Sequence, residues 1–581
     1  MLESVRHALR MFRYSRFLLK SVFNTFIRPP LLVFLISRTQ ILALPSNYAL
    51  SGLVYVLSIP FSEIVLTVLS SRRKSRDRKR LGALPVPKVR GRRLGNIDVL
   101  SALIAAENSE YPGDIFLQWA KEYGPTFDMN ILWASQIVTV DPENVRYVLS
   151  TAFTSFEKSE KLRDMFESFW GNGIFTTDGE TWKRHRANAR PFFAQERLAD
   201  FTPFEKHMNK MLDILDKLTT DGEPCDIQGL FARYTLDTAT EFLFGVSTEC
   251  LDGFLEHDPD APYERFMGAF NELAALGATR IRIGSTWPLF ELSGDKAVKP
   301  TRIIDAFVEP IIRNALRQVR DSDAMDSNFL EHLARVTKDS KMVRDESLNI
   351  LFAARDTTSS LLTSVAYLLM ENPDVEKKMR QEVLDICGPD RTPSIADIRK
   401  MKYIEAVLDE TLRLFPPVPY NIRRSIDSSA LPSPMSKLGQ PLYMPPRSSI
   451  TYAPILIHRD PAFWGEDAHE FRPERWQRGS APMSHANACM PFNMGPRICL
   501  GQQLAYIQAT YVWARLLQRH ARFERAKDAQ PPESLPPTKE WISQGRTGRH
   551  AFETIWPHAT VVLSVKGGLW VRSVPFLFHE H

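Results

Sequence analysis

The stretch Phe492–Gly501, with the sequence FNMGPRICLG, is the part of this 581-residue chain that points most directly to a fold. It contains one cysteine, Cys499, shortly before an amphipathic helical pattern that runs from Gln502 to about His520. Glycines stand on both sides of the cysteine, and Arg497 precedes it by two residues. Because the positive end of a helix lowers the pKa of a nearby thiol, Cys499 is a candidate thiolate ligand.

Each residue type in this stretch has a physical use if a haem lies against the loop. Cys499 would supply a thiolate to the iron. Gly495 and Gly501 would permit a tight bulge with its backbone close to the ring, where a Cβ would clash. Arg497 would neutralise a haem propionate, and Phe492 would shield the sulfur from water and tune its donor strength. The alternative is a buried structural cysteine.

The pattern Phe-x-x-Gly-x-Arg-x-Cys-x-Gly resembles the haem-binding signature of the cytochrome P450 superfamily, and the likeness covers roughly residues 85 to 575. It implies the cytochrome P450 fold, mainly α with small β-sheets, and a haem b cofactor whose iron has Cys499 as axial ligand. Two stretches, 173–193 and 353–358, are similar to the fungal microsomal branch that hydroxylates n-alkanes and long-chain fatty acids.

A second chemical motif is the stretch 353–358, with the sequence AARDTT, inside an apolar helical pattern. In the family that it resembles, the threonine hydroxyl bonds back to the carbonyl four residues earlier and opens a groove for dioxygen. That carbonyl would belong to Ala353, and Asp356 and Thr357 would deliver protons to dioxygen. Ala354 stands where the family usually has glycine, so the groove would be slightly narrower. The alternative is a solvated Asp–Thr pair on an amphipathic helix face.

Glu410 and Arg413 lie three residues apart, which puts a carboxylate and a guanidinium on one helical face. Alone, such a pair is usually a surface salt bridge. Here the order of segments resembles the family's Glu-x-x-Arg helix and its later Pro-Glu-Arg segment, found at 473–475. The resemblance implies a buried triad of Glu410, Arg413 and Arg475 that locks the cysteine loop, with a structural role.

Further residues are candidates for the edge of the haem. Trp182 and Arg186 match the family's Trp-x-x-x-Arg helix, whose indole N–H and guanidinium suit the propionates. Arg423 is another propionate candidate. His185 and His458 are rival axial ligands, but with the thiolate signature present we expect neutral roles or positions beside a propionate for both.

The amino-terminal region carries the features of a membrane anchor. The run 48–69 is mostly apolar and, at about 1.5 Å per residue, long enough to cross a core of about 30 Å. The segment 71–80 follows with seven basic residues in ten, so this end should stay in the cytosol. Pro60 and Glu63 interrupt the run, and a shorter apolar run, 31–44, precedes it. The leading residues are also basic: Arg6, Arg10, Arg13, Arg16, Lys20 and Arg28.

A helical hairpin with both ends in the cytosol fits these features, and so does a single span behind an interfacial amphipathic helix. A buried core helix is the third alternative. We expect a membrane-anchor region at 1–80, a stiff proline-rich linker at 81–90 and a haem-thiolate monooxygenase domain at 91–581. The expected location is the endoplasmic reticulum membrane, with the catalytic domain facing the cytosol.

Composition narrows the classes of partner. The net charge of +5 is too small to indicate nucleic acid, and five scattered cysteines suggest a reducing compartment without a disulfide framework. No flavin or nicotinamide fingerprint occurs, so electrons must come from a separate protein. The resemblance implies an NADPH-dependent cytochrome P450 reductase, with cytochrome b5 as a second donor. Lys183, Arg184 and neighbouring basic residues on the cysteine side would favour an acidic reductase face.

Periodicity predicts a largely helical domain. Asn372 should cap the helix that starts at Pro373, and the turn Lys566-Gly567-Gly568 should join the strand-like stretch 561–571 as a hairpin. The predicted helices are 112–123, 180–189, 203–218, 299–321, 345–370, 373–384 and 394–414, and the stretch 137–140 reads as a strand.

Three functions remain open at this point. The first is a monooxygenase that inserts one atom of dioxygen into a hydrophobic substrate. The second is a haem-binding protein without oxygenase activity, such as a gas sensor, and the third is a haem-thiolate isomerase or dehydratase. The intact Asp356–Thr357 pair favours the monooxygenase, because a binding protein needs no proton relay and the isomerase class typically lacks the threonine.

Overall fold

The computed structural model describes residues 19–20, 22–39, 44–193, 201–256, 258, 260–292, 294–321, 328–434, 439–477 and 488–575. Four of the predicted leading basic residues, Arg6, Arg10, Arg13 and Arg16, lie outside these ranges. So do residues 40–43 at the end of the first apolar run.

Helices make up most of the described chain. The first ten are α1 (Arg28–Arg38), α2 (Tyr48–Arg80), α3 (Ile97–Ser109), α4 (Asp114–Tyr123), α5 (Pro142–Arg146), α6 (Glu160–Phe166), α7 (Gly179–Ala189), α8 (Thr202–Asp221), α9 (Ile227–Phe244) and α10 (Pro262–Ile283). The next are α11 (Val298–Asp321), α12 (Phe329–Val336), α13 (Ser340–Glu371), α14 (Pro373–Cys387), α15 (Ile395–Ile398), α16 (Lys402–Leu414), α17 (Pro454–Ile457), α18 (Pro461–Trp464), α19 (Gln502–Arg519) and α20 (Thr538–Ser543).

The strands form small sheets at the edges of the helical body. They are β1 (Leu84–Pro85), β2 (Thr126–Asp128), β3 (Gln136–Thr139), β4 (Phe156–Glu157), β5 (Cys225–Asp226), β6 (Asn421–Ser425), β7 (Ser429–Leu431), β8 (Leu442–Met444), β9 (Ser449–Tyr452), β10 (His520–Arg525), β11 (Pro557–Ala559), β12 (Leu563–Val565) and β13 (Trp570–Pro575). The largest sheet has the order β2-β3-β9-β6-β4, with β3 and β9 parallel. The prediction of a mainly helical fold with small sheets is confirmed.

The long helix α13 connects the two largest hydrophobic clusters. Its first half packs with α9, α10 and α11, and its second half packs with α16 and α19. The stretch 353–358 lies between these halves. The chemical motif of α13 is therefore held at the junction of the two cores.

One predicted helix, 394–414, is wrong as a single element. The chain forms α15 and α16 with a break at 399–401. Ser394 and Asp397 form a capping box on the four-residue helix α15. The Glu382 carboxylate then accepts the N–H groups of Tyr403 and Ile404 at 2.8 and 3.0 Å, which starts a new helix. Glu382 comes from α14, so the cause of the break is a tertiary contact.

Two local predictions also need correction. Gly567 and Gly568 have φ values of +71° and +84°, as a turn requires, but the strands on either side do not pair with each other. β12 pairs with β11, whereas β13 lies between β10 and β5. Helix α14 begins at Pro373 with Asn372 in the N-cap position, as predicted, but the Asn372 side chain makes no cap hydrogen bond. Its side chain donates instead to the Leu368 carbonyl of the preceding helix at 2.7 Å.

The amino-terminal helix α2 has 33 residues and continues without interruption from the apolar run through the basic segment. It is long and apolar enough to cross a membrane, and little of its apolar part is buried in the protein. At its carboxyl end, Asp77 Oδ2 accepts a hydrogen bond from Ser428 Oγ at 3.0 Å. The segment 81–90 was expected to be a linker, but its residues Leu84–Pro85 form β1, which pairs in parallel with β8. The helix is thus attached directly to a sheet of the domain.

Candidate active site

The loop before α19 is held in a fixed shape by its own backbone. The N–H of Cys499 donates to the Phe492 carbonyl at 2.9 Å, and the N–H of Ile498 donates to the Gly495 carbonyl at 3.0 Å. Asn493 has a left-handed φ of +67°, and its side-chain oxygen accepts the Tyr452 hydroxyl at 3.0 Å. Tyr452 ends β9, so the loop is tied to the largest sheet.

The two glycines of the loop differ in whether the surrounding protein requires a residue without a Cβ. Gly495 has a φ of +68°, and a Cβ there would lie 2.0 Å from the Leu149 carbonyl oxygen. Its close contact is therefore with protein backbone. Gly501 has a φ of −89° and no protein atom within 4 Å of a Cβ built on it, so the protein itself leaves that position free for a larger residue.

The Cys499 side chain is solvent-accessible, although burial raises the pKa of its thiol. A sulfur can be accessible to solvent and still be surrounded by protein when it faces a cleft. The Gly501 N–H and the nearby Arg186 oppose the effect of burial on the pKa. Burial therefore outweighs the expected lowering of the Cys499 pKa by helix α19, and a metal cation at the sulfur would favour the thiolate.

Behind the loop lies a contact that sequence reasoning missed. The Phe492 ring centroid is 5.4 Å from that of Tyr506, on α19. The Tyr506 hydroxyl donates to the Asp409 carboxylate of α16. Burial raises the pKa of Asp409 to about 6, and the hydrogen bond from Tyr506 opposes this effect. The aromatic residue beside the cysteine therefore packs on a tyrosine that is held by a partly buried hydrogen bond between two helices.

A cluster of cationic side chains lies on the other side of the loop. Arg497 donates to Asp178 Oδ1 at 2.6 Å and to the Thr177 carbonyl at 2.9 Å. Its guanidinium lies 4.4 Å from the centroid of the Trp182 ring, and that of Arg186 lies 6.0 Å from the same ring. Trp182 itself is buried. The predicted residues of α7 and of the cysteine loop are thus brought together.

Two further cations complete this cluster. Arg423 of β6 is buried and donates to the Ile422 carbonyl at 2.8 Å. Lys158 donates to the Phe175 carbonyl at 3.0 Å. The cluster consists of Lys158, Arg186, Arg423 and Arg497, and it includes the predicted cations Arg186, Arg423 and Arg497. Lys158 and Asp178 were missed, because Lys158 lies in no motif and Asp178, although inside the stretch 173–193, was given no role.

The cluster carries more positive than negative charge. Burial, together with Arg423 and Arg497, lowers the pKa of Lys158 well below its usual value. Burial likewise lowers the pKa of Arg497 to about 10, which Asp178 opposes. Nη1 of Arg497 has no hydrogen-bond partner among the described residues. Such a group favours an anion with several carboxylate oxygens, and the two propionates of a haem fit this requirement.

In the motif of α13, the threonine hydroxyl bonds the carbonyl four residues earlier, as the sequence predicted. Thr357 Oγ1 donates to the Ala353 carbonyl at 2.7 Å, so that this carbonyl accepts a side-chain hydrogen bond within the helix. Asp356 forms an ion pair with Arg355 at 2.5 Å, and the Asp356 side chain is 20% exposed. Arg355 also donates to Asn271 of α10 at 2.9 Å. Sequence reasoning assigned no contact to Arg355.

The buried charges around Glu410 form a network at the base of the loop. Glu410 and Arg413 are fully buried and joined by two hydrogen bonds of 2.7 and 2.8 Å. Arg475 Nε lies 3.4 Å from Glu410, and the Trp476 indole N–H donates to the same carboxylate at 2.9 Å. Arg475 is shared with Asp467 at 3.0 Å.

We expect Glu410→Gln to destabilise the protein by about 3–5 kcal/mol, because it leaves the fully buried Arg413 without its carboxylate and Arg475 with Asp467 alone. The measurement is the free energy of unfolding, together with haem content after purification. Glu180→Gln is the matched control, since its pair with Lys183 is largely exposed and should have little effect. A Glu410→Gln variant as stable as the wild type would contradict this account of the network.

The two histidines do not point to iron ligation. His458 is buried, its Nε2 accepts the Met490 N–H at 2.9 Å, and burial with nearby Arg413 lowers its pKa to about 3. It connects the Arg413 network to the segment that enters the loop. His185 Nδ1 lies 3.0 Å from Glu346 of α13, and both side chains are buried.

Comparison with known proteins identifies a family and several relatives of this chain. A model of the cytochrome P450 family matches residues 95–545. Cytochrome P450 monooxygenase g430 from a Fusarium species is 34% identical over 83% of this chain and 87% of the relative. Cytochrome P450 52A3-B from Candida maltosa is 37% identical over 75% of this chain and 85% of the relative. Cytochrome P450 monooxygenase fsdH from Fusarium heterosporum is 34% identical over 75% of this chain and 78% of the relative.

A helical fold with a cysteine loop and a cationic cluster defines a haem-thiolate protein. The chain belongs to the cytochrome P450 family. It is therefore a haem-dependent monooxygenase, whose reaction requires dioxygen, a hydrophobic substrate and a redox partner. The interpretation as a monooxygenase is confirmed over the sensor and the isomerase or dehydratase.

Proposed function

We propose that this chain hydroxylates long-chain alkanes or fatty acids, with Cys499 as the iron ligand. When bound, the haem supplies the binding and reductive activation of dioxygen. Arg497, Arg186, Arg423 and Lys158 would hold the propionates, because within the described part of the chain Asp178 is the one carboxylate that contacts this group of cations.

The protein's own chemical contribution would be proton delivery. Thr357 donates its hydroxyl to the Ala353 carbonyl one helical turn away, where the hydroxyl would orient water. Asp356 is partly exposed and would exchange its partner Arg355 for that water. The Thr357–Ala353 hydrogen bond of 2.7 Å is the observation that carries this assignment. Glu410, Arg413 and Arg475 would act structurally, through the shape of the loop.

The substrate class is supported by the stretches 173–193 and 353–358 and by the similarity to cytochrome P450 52A3-B. An apolar wall beside the motif agrees with it, since Phe352 directly precedes Ala353 and stacks on Phe270 at 3.9 Å. The test is turnover of hexadecane and of dodecanoic and hexadecanoic acids under ¹⁸O₂. One labelled oxygen atom per hydroxylated product would support the proposal. Turnover of none of the three would refute the substrate class.

We infer that electrons come from a membrane-bound NADPH-dependent cytochrome P450 reductase, with cytochrome b5 as a second donor. Lys183 and Arg184 are exposed on α7, the helix that carries Trp182 and Arg186 near the cysteine loop. An acidic reductase surface would be attracted to this face. Reconstituted turnover should then slow as salt rises from low to physiological ionic strength. Equal rates over that range would argue against a charged docking face.

We propose the anchor region 1–80, the joining segment 81–90 and the catalytic domain 91–581. Among the described helices, α2 alone is both long and apolar enough to span a bilayer. This supports a single span with α1 packed against it. With the basic segment 71–80 in the cytosol, the catalytic domain would face the cytosol at the endoplasmic reticulum.

Removing residues 1–69 should release the protein from membranes while leaving it folded, because the attached end of α2 and β1 remain. The measurements are sedimentation with membranes and the spectrum of the reduced carbon monoxide complex. The full chain is the control and should sediment. A truncated protein without haem would show that the removed helices belong to the core.

A further inference from the structure

A buried ionic network lies in the connection between α10 and α11. Arg280, in the last turn of α10, forms a two-pronged pair with Glu291 at 2.6 and 2.8 Å and also contacts Asp295 at 2.7 Å. The exposed fractions of these three side chains are 1%, 3% and 7%. We call Arg280, Glu291 and Asp295 the Arg280 network.

The same guanidinium reaches a second segment of the chain. Nη1 of Arg280 donates to the Met165 carbonyl at 2.7 Å and to Ser168 Oγ at 2.9 Å. The Trp287 ring covers the guanidinium at 4.4 Å. One side chain therefore fastens the α10–α11 connection to the end of α6 and the residues after it.

The fastened segment carries an aromatic wall that leads to the motif of α13. Phe166 and Trp170 are stacked with centroids 4.1 Å apart, and Trp170 lies 5.6 Å from Phe352. Phe352 stacks on Phe270 of α10. Gly277, one turn before Arg280, allows close approach, since a Cβ there would lie 2.7 Å from the Phe166 ring.

Stability alone does not account for this network. Buried ion pairs are often replaceable by apolar residues without loss of stability, because desolvation of the charges offsets their attraction. A planar guanidinium that bonds Glu291, Asp295 and the 165–168 segment together does, however, fix their relative orientation in a way that apolar contacts do not. The network is therefore suited to fixing the position of the aromatic wall.

We propose that Arg280 is a positioning residue for regioselectivity. By fixing the wall of Phe166, Trp170, Phe270 and Phe352, it determines which carbon of a hydrophobic substrate faces the Ala353–Thr357 turn. This inference rests on the proposed function, because it places the oxidation site beside that turn. Arg280 touches no reacting atom and acts only through the wall.

The test uses the full chain and the triple variant R280M/E291Q/D295N, which removes the charges of all three side chains of the network. The matched control is R549M/E553Q, because Arg549 and Glu553 form a similarly buried two-pronged pair away from the wall. R280K keeps the charge but loses the two-pronged geometry. All variants are compared at equal content of the carbon monoxide complex.

Hydroxylated isomers of dodecanoic acid are the first readout. In the triple variant, the ratio of the main isomer to its neighbours should fall by about 3-fold or more, and R280K should lie between it and the wild type. Hydrogen exchange is the second readout. The backbone amides of segments 160–170 and 286–292 should exchange about 10-fold faster in the triple variant than in the wild type. Their exchange rates should be unchanged in the control.

The outcomes separate this inference from the proposed function. An unchanged isomer ratio in an active triple variant overturns the inference alone, as does unchanged exchange in both segments. A control that alters the ratio as much as the triple variant does also overturns it, since any buried pair would then suffice. A wild type that forms no hydroxylated fatty acid overturns the proposed substrate class and this inference with it.

Discussion

Product formation by the Cys499→Ser variant should fall below about 1% of the wild type, with loss of the red-shifted Soret band of the reduced carbon monoxide complex. A serine hydroxyl is a poor anionic donor, because its pKa lies far above that of a thiol. The loop should keep its shape, since its hydrogen bonds are made by backbone groups of Phe492, Gly495 and Ile498. The measurements are the carbon monoxide difference spectrum, haem content and product.

Cys489→Ser is the matched control for this substitution. Cys489 lies ten residues before Cys499, and burial raises the pKa of its thiol, so it should stay neutral. The control should retain both the band and the activity. A red-shifted band in Cys499→Ser would mean that another residue is the ligand.

The Thr357→Ala variant should retain haem and substrate binding but lose coupling of electrons to product. Removing one hydroxyl that bonds within its own helix costs about 1 kcal/mol, so the fold should survive. Product formed per NADPH should fall by about 10-fold or more, because positioned proton donors contribute factors of this order, and hydrogen peroxide should rise. The assay is product, peroxide and NADPH in one reconstituted reaction.

Thr358→Ala is the control, since it removes the same group from the next position, about 100° around the helix, where the side chain is buried. It should keep its coupling. Asp356→Asn should slow the same step as Thr357→Ala, because an amide does not exchange a proton readily. Full coupling in both Thr357→Ala and Asp356→Asn would remove the proton relay from the mechanism.

The features that sequence predicted best are those written in consecutive residues. The cysteine loop, α7 and the motif of α13 each need only local spacing, so Cys499, Trp182 and Thr357 could be found by pattern. Helix α7 ends at Ala189, before Arg190-Pro191, for a local reason as well.

What sequence could not predict depends on contacts between distant segments. Lys158 and Asp178 join the cationic cluster through the packing of loops around β4 and α7, a contact that the sequence of neither loop reveals. Glu382 breaks a predicted helix from outside it. Tyr506 and Asp409 meet only because α16 and α19 pack together.

The attachment of α2 to the sheet of β1 and β8 has a consequence for how the enzyme would sit at the proposed membrane. A helix of 33 residues is about 50 Å long, so with 48–69 in the bilayer its last turns form a short rigid stalk. The orientation of the catalytic domain relative to the bilayer would then change together with the tilt of the α2 axis. Bilayers of different thickness change that tilt, and we expect the angle of the domain to follow bilayer thickness. Polarised infrared or linear dichroism of oriented bilayers would measure it, and a domain angle independent of thickness would indicate a flexible joint at 81–90.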